Sequence, residues 1–144
     1  MNTAPATDSR ARTLVLDNEA VQALLDPDHP KHQRALAVVE ATLVRSRRTP
    51  LVVPTAVRVE AGWDRRTPHA APVNRLRVRH QGLDGDATDS AAALRTALRV
   101  SVADAHLGVV CAALNGPHAV LTSDVADVRR LAAHLGTPTT AIRL

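Results

Sequence analysis

The sequence predicts an α/β chain: three layers, α/β/α, around a mostly parallel central sheet. Three observations predict it. Short apolar runs punctuate the chain, TLVL at 13–16, LVV at 51–53 and AVLT at 119–122, each the length of a buried strand. Between them lie longer segments whose apolar residues keep helical spacing. One of these, residues 102–114, is apolar nearly all round, as a helix in the middle of a core reads. Strands that alternate with helices pair in parallel, and the crossover helices cover both faces of the sheet.

Each element follows from its residues. Residues 1–12 are polar and without period, and read as a flexible tail; residues 13–144 read as a single domain. After the strand 13–16 and Asp17, residues 18–25 place Ala20, Val21, Leu24 and Leu25 on one helical side. The turn DPDHP at 26–30 follows, and Pro30 suits the first turn of a helix reaching about Arg47. Arg45, Arg47 and Arg48 at its end complement the helix dipole. Pro54 stops the second strand, and Thr55 can cap a helix over 56–63. On that helix Glu60 falls on the apolar side, close to Trp63, with Arg58 opposite; an edge position with its carboxylate reaching out is the equal alternative. Residues 64–80 are the most basic part, with a weak helical face of Val73, Leu76 and Val78. QGLDGDATD at 81–89 reads as a short edge strand around Gly82-Leu83 and a turn; the ligand pattern of a calcium loop is missing. Helices over 90–100, 102–114 and 124–135 follow, the last closed by Gly136 with Pro138 beyond, and a strand spans 139–144.

Composition bounds the chemistry. One Trp and no Phe or Tyr leave a core of Ala, Val and Leu, and little to stack on bases. The single Cys111 excludes an internal disulfide and sits where packing is its role. The net charge is +4, with Lys31 the only lysine beside 17 arginines. Arginine suits phosphate contact, and the same bias accumulates in chains from GC-rich genomes. From Arg58 to Arg79 six arginines stand against Glu60 and Asp64. This stretch can form a phosphate-contacting rim; a solvated helix face is the alternative. No apolar run reaches the length of a membrane span, and the N-terminus lacks the apolar core of a signal peptide, so a cytoplasmic protein is expected.

Four acids fall at informative places. Asp17 and Asp124 end strands; Glu60 and Asp104 lie on apolar helix sides. Each has a structural alternative. Asp17 can cap the helix it precedes, Ser101-x-x-Asp104 resembles a capping box, and Asp124-x-x-Asp127 can be another. Gathered at one sheet edge, such carboxylates repel, and a hard divalent ion removes that penalty. Oxygen ligands select Mg²⁺ or Mn²⁺, and the lack of paired Cys or His argues against zinc.

Asp17 after LVL, Glu60 in PTAVRVEAGW, Asp104 in SVADAH and Asp124 in LTSDVADVRRL resemble, in order and spacing, the four acidic positions of the PIN domain. The nearest flavour is the VapC-type ribonuclease toxin, and the likeness runs from Thr13 to Leu144. It implies a PIN-like α/β/α fold and an endoribonuclease using Mg²⁺ or Mn²⁺. It also implies a homodimer and a cognate antitoxin protein that blocks the site. Asp17, Glu60, Asp104 and Asp124 are then the catalytic and metal-holding residues. Thr122, Ser123 and Asp127 support them from behind, and Arg65 and Arg66 are the candidates for the RNA backbone. Asn18-Glu19 departs from the family, which often has small hydroxyl residues there. A non-catalytic PIN-like RNA- or protein-binding module, or a PIN nuclease in RNA processing, is the alternative. A haloacid-dehalogenase-type phosphatase and a response-regulator receiver both want a lysine in the later half, which is absent.

Overall fold

The computed structural model describes residues 13–45 and 50–144. The expected tail, 1–12, and Arg47 and Arg48 lie outside the described residues. The first half runs β1 (Thr13–Leu16), α1 (Asn18–Leu25), α2 (His32–Arg45), β2 (Leu51–Pro54), α3 (Thr55–Ala61), a 3-10 turn (Pro68–Ala70), α4 (Ala71–Asn74) and β3 (Val78–Gln81). It continues through α5 (Gly85–Leu98), α6 (Val102–Ala113), β4 (His118–Thr122), α7 (Val125–Leu135) and β5 (Thr140–Arg143). The strands form one sheet in the order β3-β2-β1-β4-β5, and every pairing is parallel.

Alternation along the strands sorts the core into two layers. Leu14, Leu16, Leu51, Val53, Ala119 and Leu121 face α1, α2 and α3, meeting Val21, Leu24, Val39 and Val57. Val15, Val52 and Val120 face the other way, onto Leu107, Val110 and Cys111 of α6 and Val128 of α7. Burying each such side chain contributes about 1.5–3 kcal/mol, so aliphatic residues alone can carry a core this size. The helix α6 packs closely: a Cβ on Gly108 would stand 2.8 Å from Leu94 Cδ2 and 3.3 Å from Leu135 Cδ1. Glycine there lets α6 close on α5 and α7 together. His106 is fully buried, and its Nδ1 accepts the Ala56 N–H at 3.2 Å, which ties α6 to the first turn of α3.

Several local expectations are corrected. The third strand is Val78–Gln81, ahead of Gly82, and its residues are VRHQ. It is half-exposed, so its residues read as a solvated stretch in isolation. Asp84 accepts the Ala87 N–H at 2.8 Å and caps α5, which therefore begins at Gly85 and not at Ser90. Pro54 belongs to β2 and is itself the N-cap of α3, with no side-chain cap from Thr55. Gly62 closes α3 in the left-handed region at φ +74°, one residue before Trp63. Pro30 precedes α2, which begins at His32. No single helix among the described residues is long and apolar enough to cross a membrane.

The topology picks out one edge. From β1 the chain steps outward through β2 to β3, then crosses back to β4 and on to β5. The direction reverses between β1 and β4, and α/β sheets bind ligands in the crevice outside the carboxyl ends at such a point. β1 leads there into Asp17, and β4 ends there at Thr122. The crossover into β4 sets the N-terminus of α6, with Ser101 and Asp104, at the same edge.

Candidate active site

Asp17 follows β1 directly and is buried, 9% exposed. Its Oδ1 accepts the Ala20 N–H at 2.8 Å, so it does cap α1. The cap holds the carboxylate at the head of the sheet rather than turning it away. Thr122, buried at the end of β4, donates its hydroxyl to the Asp17 carboxylate and accepts the Asp124 N–H at 2.9 Å. One hydroxyl thus fixes the ends of two adjacent strands.

The other acids arrive on helix N-termini. Ser101 Oγ accepts the Asp104 N–H at 3.0 Å, and the same hydroxyl bonds the Asp104 carboxylate. Asp124 Oδ1 accepts the Asp127 N–H at 3.0 Å, as the cap of α7. Glu60 takes the second of its two expected places, an edge position: it is exposed at the end of α3, and it stands at the lip of the cleft. Asp17, Glu19, Glu60, Asp104, Asp124 and Asp127 all line a single cleft of about 300 Å³, with Ser101, Thr122 and Ser123 among them. Among the described residues no Lys or Arg lines it. All four of the acids singled out in the sequence therefore share one cavity. Glu19 joins them, and its position two residues after Asp17 was the available signal.

Crowding shows in the protonation behaviour. Burial raises the pKa of Asp17 above the ordinary carboxylate value, Thr122 and Ala20 oppose the rise, and the charges of Asp104 and Glu19 add to it. Burial raises Asp104 as well, against the Ser101 hydrogen bond, with Asp127 and Asp124 adding repulsion. Glu19 goes the other way: the Ser123 hydroxyl holds it down first, burial opposes, and Lys31 and His29 help to lower it. Lys31 Nζ stands 3.6 Å and His29 Nε2 3.7 Å from Glu19 Oε1, and Arg130 Nε stands 3.8 Å from Asp127 Oδ1. These cations sit at the rim, and among the described residues none pairs with Asp17 or Asp104.

Among the described residues no three Asp, Glu, His or Cys groups converge tightly enough to hold an ion. The test of fit is therefore the donor set. It consists of carboxylates and hydroxyls around a cavity, with repulsion between Asp17 and Asp104 and between Asp104 and its two neighbours on α7. Hard divalent cations match such a set, and it offers nothing soft for zinc. In donor type, though not in spacing, the set is one that Mg²⁺ or Mn²⁺ takes.

The two arginines expected to touch RNA do not line the cleft. Arg66 grips Asp64 with both ends of its fork, Nε to Oδ1 at 2.9 Å and Nη2 to Oδ2 at 3.0 Å, and holds that carboxyl down to about 2. Arg65 is exposed nearby. Arg58 is half-buried between Trp63 and His80, because β3 covers the side of α3 that the helix alone leaves bare. A larger groove of about 520 Å³ between α5 and α6 is apolar and contains no carboxylate. No protein-family model, curated protein or solved structure matches this chain.

Proposed function

We propose that this chain is a divalent-metal-dependent endoribonuclease of the PIN type and the toxin of a type II toxin–antitoxin pair. One observation carries the reading: Asp17, Glu60, Asp104 and Asp124 line one cleft at the point where the sheet reverses direction. The order and spacing of the same four acids, which resemble the PIN pattern, support it.

In this reading Asp17, Asp104 and Asp124 hold Mg²⁺ or Mn²⁺, directly or through water, and Glu60 completes the shell or positions the attacking water. The ion, when bound, lowers the pKa of that water and stabilises charge on the transferring phosphate. The remaining chemistry belongs to the chain. Thr122 fixes Asp17, and Ser101 fixes Asp104, so neither carboxylate must be ordered when the ion arrives. Asp124 is held by its own helix cap. In this reading Glu60, exposed at the lip, takes the proton as water attacks phosphorus; the P–O bond breaks, and the leaving ribose oxygen takes a proton from solvent. A homodimer, a cognate antitoxin that covers the cleft, and a cytoplasmic location belong to the same proposal.

The test is cleavage of single-stranded RNA in Mn²⁺ and in chelator. Wild type should cut only with the metal. Asp17→Asn, Asp104→Asn and Asp124→Asn should fall to the chelator level while keeping the wild-type circular dichroism spectrum, and Asp127→Asn should lose less. Folded Asp104→Asn cutting at the wild-type rate would sink the site assignment. A small gene immediately upstream whose product abolishes the cleavage separates a toxin from a processing nuclease.

A further inference from the structure

The cleft that would cut RNA is lined by six carboxylates and so repels a polyanion. Something else must hold the strand against it. A cluster on the far side of α3 has the right chemistry. The Arg58 guanidinium lies over the Trp63 ring, 5.2 Å from its centroid, and its Nη2 donates to the Trp63 carbonyl at 3.3 Å. Its Nη1 stands 3.4 Å from His80 Nδ1, and the His80 and Trp63 rings lie 5.1 Å apart. Trp63 is itself buried and anchored, its Nε1 donating to Asn74 Oδ1 at 2.9 Å. Asn74 in turn donates to the Arg65 carbonyl at 2.9 Å, so the backbone that carries Arg65 is held beside the same platform.

Asp64 is the carboxylate whose charge acts on Arg58, and it makes no ion pair with it. Among the described residues no carboxylate stands within ion-pair distance of Arg58, Arg65 or His80. Asp64, nearest in sequence, has both oxygens taken by Arg66. The Arg58 Nε is buried without a partner, so packing on the indole, not a carboxylate, holds this guanidinium in place. A stacked guanidinium is pre-organised, and its fork matches phosphate oxygens. Trp63 is too buried to stack a base; it serves as the floor under Arg58.

Position completes the argument. Arg58 and Glu60 are two residues apart on α3, about 200° around its axis at about 100° per residue. They lie on opposite sides of one helix, about 10 Å across. A strand laid over the carboxyl edge meets the acids on one side of α3 and the cations on the other. We propose that Arg58, Arg65 and His80 form a phosphate-binding site on the Trp63 platform, seating the backbone of single-stranded RNA beside the acidic cleft. The site rests on the nuclease reading for its ligand, and on the geometry of the cluster for its place.

The experiment is binding of a labelled twelve-nucleotide oligouridylate in chelator, read by fluorescence anisotropy across a salt series. Each phosphate contact on a single strand contributes a slope of about 0.7 in log K against log salt. Arg65→Gln should flatten the slope by about 0.7 and Arg58→Gln/Arg65→Gln by about 1.4. Arg95→Gln on α5, with the same charge change, should leave the slope at the wild-type value. Wild-type slope and affinity in folded Arg65→Gln would overturn the proposal, and that exposed substitution decides the matter even where Arg58→Gln fails to fold. A parallel cleavage assay in Mn²⁺ keeps the two readings apart. Flattened slopes with no cleavage by wild type leave the phosphate site standing and remove the nuclease. Cleavage by wild type with unaltered slopes does the reverse.

Discussion

Asp104 shows how one residue serves two ends. Its N–H belongs to the Ser101 cap, and its carboxylate faces the other acids of the cleft. Because Asn keeps the N–H, Asp104→Asn preserves the cap and removes only the charge. Burial raises the pKa of both Asp17 and Asp104, so the folded state binds their protons more tightly than the unfolded chain. Such a group stabilises the fold as pH drops toward the carboxylate range and costs stability as pH rises through its folded value. Glu19, lowered, works in the opposite sense: its contribution is present above its unfolded pKa and fades as pH falls. In chelator at neutral pH, Asp104→Asn should therefore melt at or above wild type, and the gap should close as pH is lowered toward the ordinary Asp range. Added Mn²⁺ should raise the wild-type melting temperature, by a stabilisation of about 2.7 kcal/mol at a hundredfold excess over Kd, and barely move the mutant. A mutant that gains as much from Mn²⁺ as wild type does would count against Asp104 as a ligand.

At the scale of elements, helix N-termini build the cleft. Asp17 caps α1, Ser101 caps α6 and Asp124 caps α7, and all three open onto the same cavity. The positive end of each helix dipole favours the carboxylates gathered there, which offsets part of their repulsion. Capping and site chemistry are thus the same residues read twice, not competing explanations. Ser101→Ala tests the overlap. Loss of the cap should cost about 1 kcal/mol in urea unfolding. It should also weaken the Mn²⁺-dependent rise in melting temperature, because Asp104 loses the hydroxyl that orients its carboxylate. A destabilised Ser101→Ala whose Mn²⁺ response is unchanged would confine Ser101 to the cap.

Across the whole molecule, charge is divided by place. The chain carries +4, yet its central cleft is lined by acids, and its basic residues between 58 and 79 surround α3 and β3. The core beneath is aliphatic and holds the single Cys111, which is 5% exposed and whose thiol burial pushes up to about 12. A thiol in that state does not react until the fold opens. Labelling by a disulfide reagent at pH 8 should be slow in native protein and complete in denaturant; on the proposed function, in which Mn²⁺ binds the folded form, it should be slower still with Mn²⁺. Rapid labelling of the native protein would show that the layer formed by α6 and α7 opens locally.

The sequence by itself determined the α/β alternation and the place of Asp17, Asp104 and Asp124 at element ends, because helical spacing and buried runs are local patterns. Their gathering into one cleft was an expectation until the sheet order brought β1 beside β4. Only the tertiary structure decided the rest. The basic strand Val78–Gln81 owes its state to pairing with β2, not to its own pattern. Arg58 is half-buried because β3 and Trp63 close over a helix side that the wheel alone leaves bare. Arg66 is drawn off by Asp64, and Glu19 is drawn into the cleft edge by Ser123. Except for Arg66, whose partner is two residues away in the same turn, the deciding partner sits on another element, and backbone periodicity carries no information about which side chains such packing brings together.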